Sequence, residues 1–104
     1  MDDPSYAMAR ERLVARWLTL MRDVLPGMAA AQRWPIRYDH CFMRVCLDHA
    51  MGGPWHFQLR RPAIRHMEDA RLAAAIAVAE AIVADPGCLP ALNAQSLQWR
   101  RAER

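Results

Sequence analysis

The sequence predicts an all-α fold, a single compact domain of four main helices at about residues 4–25, 39–51, 68–84 and 90–101, with short helical turns between them. Three observations carry this expectation. Apolar residues recur at helical spacing over long stretches. Those stretches are cut by Pro26-Gly27, by Gly52-Gly53-Pro54 and by Asp85-Pro86-Gly87. No segment alternates apolar and polar residues with period two for long, and the one extended stretch, Pro35 to Tyr38, has no partner strand in the chain.

Each element follows from local signals. Asp3 is placed to cap the first helix, and Pro4 suits its first position. Tyr6, Ala9, Leu13, Trp17, Leu20 and Val24 then form the inward stripe. Pro26 is expected to stop this helix, because the residue before a proline resists the helical conformation. Met28 to Trp34 is left for about two separate turns.

Asp39 is read as the cap of the central helix, whose packing face holds Phe42, Val45, Cys46 and His49. His40, Arg44 and Asp48 lie on the opposite face, four residues apart, so Arg44 and Asp48 can pair, though acid before base is the better order. Gly52-Gly53 supplies a left-handed stop, Pro54 to Phe57 a single turn, and Gln58 to His66 a basic connector. The third main helix buries Leu72, Ala75, Ile76, Ala79, Ile82 and Val83. The fourth presents Leu92, Ser96 and Trp99 inward, with Arg100, Arg101 and Arg104 at its C-terminal end, where cations are favoured.

The chain has 104 residues, 54% of them hydrophobic and 24% charged, which is enough for one core and too little for two. No run approaches the ~20 apolar residues of a membrane span, and the acidic start Met-Asp-Asp-Pro-Ser is unlike a secretory signal, so a cytoplasmic location is expected. Reduced thiols at Cys41, Cys46 and Cys88 fit that compartment. All basic residues are Arg. The net charge of +3 permits nucleic-acid binding, but the Arg residues are dispersed, with Arg60, Arg61 and Arg65 as one small group and Arg100, Arg101 and Arg104 as another. A solvated face is the favoured account of both.

The densest chemistry lies between Arg37 and His56. His40, Cys41, Cys46, His49, His56 and His66 offer metal donors, but His40 and His49 point about 180° apart on a helix and no zinc spacing is present. No metal site is therefore expected. Nucleophile motifs and phosphate-binding glycine loops are missing too, so no cofactor is assigned. What remains is an aromatic and cationic set: Tyr38, Arg44, Asp48, Trp55 and Arg65 as ligand-binding candidates, with His40, His49 and His66 as candidate general bases.

The run Tyr38-Asp39-His40-Cys41-Phe42-Met43-Arg44 through Asp48, followed by Gly52 to Trp55, Arg61-Pro62-Ala63 with His66-Met67, and Leu92-Asn93 with Ser96-Leu97, resembles a small all-helical protein family without established chemistry. The resemblance spans roughly residues 38–100 and implies kinship of fold. Some such proteins are described as N-acetyltransferases. That activity would imply a longer α/β domain with a pyrophosphate loop, and this sequence contains neither. Met67 departs from the Ser or Thr cap expected before Glu68.

The function these residues favour is a small binding or accessory module for a small molecule or a protein partner. Its site would lie on the polar side of the central helix near Trp55 and His66. The alternatives are an enzyme with a His base and Arg44 holding an acidic substrate, and nucleic-acid binding through the Arg clusters. A ligand site predicts one pocket shared by Trp55, Arg44 and His66. Self-association would use exposed parts of the first helix.

Overall fold

The computed structural model describes residues 4–102, with side chains from Met8 onward. The expected cap at Asp3, the Tyr6 stripe position and Arg104 lie outside the described side chains. The protein is all-α: α1 (Pro4–Thr19), α2 (Leu25–Gln32), α3 (Asp39–Met51), the short α4 (Ala63–His66), α5 (Asp69–Ala84) and α6 (Leu89–Ala102). Tight 3₁₀ turns occupy Trp55–Phe57 and Pro86–Cys88. Among the described residues there is no strand. The radius of gyration, 14.0 Å, is close to the ~13 Å of a folded domain of this length, so the helices form one body.

The first helix does not stop at Pro26. A π turn at Leu20–Val24 joins α1 to α2, and the backbone stays right-handed through to Gln32. Proline has no N–H to give the carbonyl four residues back. The π turn, closed by the Leu25 N–H on the Leu20 carbonyl, shifts the hydrogen-bond register just before Pro26. Pro26 then sits at the start of α2, where a missing N–H is tolerated.

The actual stop is Arg33, in the left-handed conformation at φ 54°. The Trp34 N–H returns to the Ala29 carbonyl at 3.1 Å and the Arg33 N–H to the Ala30 carbonyl at 3.2 Å, a Schellman closure. Trp34 is thereby turned into the core, where its indole N–H donates to the Pro86 carbonyl at 2.9 Å.

The central helix starts and ends near the expected residues, but its cap differs. Tyr38 is the extended N-cap, and the Asp39 carboxylate instead accepts the N–H of His40 at 2.8 Å. Gly52 makes the left-handed stop at φ 73°. α3 packs most extensively on α5, with Phe42, Val45 and Cys46 fully buried against a core that includes Leu20, Met21, Leu25, Leu72, Ala75, Ile82 and Leu89. The alanines of α5 permit this close approach. Arg10 ties α1 to the far end of α5 through Asp69 at 2.9 Å and also reaches the Ile64 carbonyl. α6 packs on another side of α3 and brings Asn93, Ser96 and Arg100 to it.

Candidate functional site

One face of α3 is contained in four residues, His40, Met43, Arg44 and Leu47, spaced so that they project together. Opposite them stand Trp17, Leu18 and Arg22 from the first helix. Trp55, Arg61, Pro62, Ala63 and Ile64 close the third side. The cleft between these walls has a volume of about 410 Å³, within the range of sites that hold small molecules. Its walls are mainly apolar. Its charged lining residues are Arg22, Arg44 and Arg61, and none of its lining residues is Asp or Glu.

The three arginines differ in what they can do. Arg22 and Arg61 are exposed at the mouth, and the Arg61 guanidinium lies 5.6 Å from the centre of the Trp55 ring, a cation–π contact that steadies that wall. Arg44 is half-buried. Its Nη1 donates to Ser96 Oγ at 2.7 Å and its Nη2 to Asn93 Oδ1 at 2.6 Å. Both acceptors are neutral, and no carboxylate among the described residues lies within ion-pair distance of Arg44. Burial, assisted by the nearby Arg100 charge, lowers the Arg44 pKa, while Cys41 and Asp48 oppose the shift. A guanidinium stays charged regardless, so Arg44 is a partly desolvated cation held by neutral partners.

Asp48 does not pair with Arg44. It is fully buried, and its carboxylate is taken by α6. Arg100 donates Nε to Oδ2 at 2.8 Å and Nη2 to Oδ1 at 3.0 Å. Ser96 Oγ donates to Oδ2 at 2.7 Å, and the Trp55 backbone N–H to Oδ1 at 3.0 Å. A buried carboxylate is tolerable only with such complete pairing. Ser96 therefore joins two ion systems, accepting from Arg44 while donating to Asp48. Asp48 also fixes the turn that delivers Trp55 to the cleft, since its backbone carbonyl receives the Gly53 N–H at 3.0 Å.

The structure separates the candidate residues named from sequence. Arg44, Trp55 and His40 line one cleft. Asp48 lies behind it as a support. His66 and Arg65 are exposed on α4 and are not part of the lining, so the pocket shared by Trp55, Arg44 and His66 is not formed. Tyr38 is 66% exposed and stacks on His40 with ring centres 5.8 Å apart, outside the cleft. His49 binds the Leu92 carbonyl at 2.9 Å and leans on Trp99, a contact between α3 and α6. Among the described residues, no three His, Cys, Asp or Glu side chains converge as a metal site would require.

Trp17, Arg22, Met43 and Arg61 were not singled out as cleft residues, nor Asn93, Ser96 and Arg100 as partners of the central helix. One signal for the latter was available. Asn93, Ser96 and Arg100 are spaced three and four apart and form a polar strip along α6, facing the equally polar Arg44 and Asp48. No known protein family, characterised protein or solved structure matches this chain.

Proposed function

We propose that the protein is a small helical binding or accessory module of the cytoplasm, and that its ligand occupies the cleft between the first helix, α3 and residues 55–64. The observation that carries this reading is the half-buried Arg44, which lines a mainly apolar cleft and is held by Ser96 and Asn93 of α6. Ligand sites combine apolar walls with a few fixed polar groups in this way. No single helix among the described residues is long and apolar enough to cross a membrane.

Amide chemical-shift mapping against a fragment set of apolar acids, alcohols and amines tests the location. Shifts concentrated at Met43, Leu47, Trp55 and Ile64 support it. Shifts confined to another face, or none at millimolar fragment, reject it.

A second reading has its own observation: His40 rims the same cleft as Arg44, so an enzyme holding an acidic substrate on Arg44 would have one imidazole within the site. His40→Ala would then abolish turnover and leave binding intact. The nucleic-acid reading has less in its favour, because Arg100 is committed to Asp48 and Arg61 lies over Trp55. Self-association remains a proposal for the exposed side of α1, where Met8 is 53% exposed.

A further inference from the structure

We propose that the cleft selects a small amphipathic carboxylate, with the carboxylate on Arg44 and a flat apolar body against Met43, Trp55 and Ile64. This rests on the cleft being the binding site. Four observations support the ligand class.

The first is charge complementarity. The cleft lining carries Arg22, Arg44 and Arg61 and no acid, so a bound anion would meet opposite charges and no like charge there. The second is the unequal placement of those cations. Arg22 and Arg61 are exposed, whereas Arg44 alone is half-buried, so a single compact anionic head fits better than a polyanion.

The third is the state of Arg44. Ser96 and Asn93 fix the plane of its guanidinium from the α6 side without neutralising it. The plane is thus set before a ligand arrives, and its remaining N–H donors suit a planar two-oxygen acceptor. The nearest carboxylate, Asp48, already has its four hydrogen bonds from Arg100, Ser96 and Trp55 and is not free to turn toward Arg44. The fourth is the apolar wall. Half-buried Trp55, Met43 and Ile64 line the cleft and offer apolar surface suited to a flat ring, while Trp17, only 3% exposed, backs that wall.

The test compares three ligands of one shape, 1-naphthaleneacetate, the neutral 1-naphthaleneethanol and 1-naphthyl phosphate, by titration calorimetry against the whole chain. The acid is expected to bind at least tenfold more tightly than the alcohol, and Arg44→Gln is expected to reduce that ratio to near one while the alcohol's affinity is retained. Arg44→Lys keeps the charge but not the planar fork, and should leave an intermediate ratio. Arg61→Gln should change the ratio much less than Arg44→Gln.

Equal binding of acid and alcohol to the wild type would overturn the carboxylate assignment and leave the cleft as a neutral apolar site. Tighter binding of the phosphate would overturn it in favour of a phosphoryl head. Binding of none of the three, with no cleft shifts in the fragment map, would remove the binding-site reading itself. If Arg44→Gln fails to fold, the three-ligand order on the wild type and the Arg44→Lys ratio still decide the matter.

Discussion

The Arg100 guanidinium grips the Asp48 carboxylate edge-on, Nε to Oδ2 at 2.8 Å and Nη2 to Oδ1 at 3.0 Å, across 52 positions of sequence. Asp48 is wholly buried, while the Arg100 side chain keeps 26% of its surface exposed. The two ends of this pair are therefore not equivalent. Removing the arginine strands a buried charge, and removing the carboxylate strands a cation that still reaches water.

Replacing one member of this network should accordingly be costly, and by unequal amounts. Arg100→Met leaves Asp48 charged with only Ser96 and the Trp55 N–H, and should lower stability by about 3–5 kcal/mol, the usual cost of breaking a buried pair. Ser96→Ala removes an acceptor from Arg44 and a donor from Asp48, and should cost about 1–3 kcal/mol. Because Ser96 and Arg100 share Asp48 Oδ2, the double variant should depart from additivity by about 0.5–3 kcal/mol. Urea unfolding of the two single variants and the double variant measures all three. Strict additivity would mean that the two contacts on Asp48 act independently.

Helix ends offer a second pair of opposite outcomes. Arg33 holds φ 54° although it has a Cβ, and a left-handed conformation costs an L-residue roughly 1–2 kcal/mol. Arg33→Gly should stabilise the protein by up to about 1 kcal/mol, since glycine is the preferred residue at this helix position and part of the gain is lost to unfolded-chain entropy. Gly52→Ala should do the reverse, by about 1 kcal/mol. Its φ is 73°, and an added Cβ would meet nothing within 4 Å, so the cost is one of backbone conformation without a clash. The denaturation midpoints should move in opposite directions with unchanged slopes; movement in the same direction would show that neither end is governed by its backbone angle.

Much of the helical architecture was legible because its signals are local. The Gly52-Gly53-Pro54 stop and the α5 stripe of Leu72, Ala75, Ile76, Ala79 and Ile82 each depend on neighbours within two turns. Pro26 was misleading because its usual effect is cancelled by a π turn at Leu20–Val24, for which Leu-Met-Arg-Asp-Val gives no recognisable signal. At the site, Arg44 and Trp55 could be chosen by residue type. The pairing of Asp48 could not, because helical spacing offered Arg44 as a neighbour while the real partner arrives with α6. Spacing likewise placed Asp48 opposite the packing face. That face is solvent only until a second helix covers it, and the Asn93–Ser96–Arg100 strip is what covers it here.

Cys46 gives the fold a built-in sensitivity to alkali. It is fully enclosed in the core, and burial pushes its thiol from 9.0 up to about 12. In the unfolded chain the proton is lost near 9, so above that pH the unfolded state binds fewer protons than the native one, and stability falls as pH rises toward 12. The slope from this residue approaches about 1.4 kcal/mol per pH unit. The background in this window is light, because the chain has no Lys and its arginines stay protonated, leaving the other thiols, the tyrosines and the terminal amine. Those groups are common to wild type and Cys46→Ala and cancel in the comparison. The alanine variant should be the less stable of the two at pH 8, from the lost packing, and the gap should narrow by about 1 kcal/mol by pH 10. Urea unfolding at both pH values measures it. Parallel declines in the two proteins would show that the buried thiol titrates no differently in the native and unfolded chains.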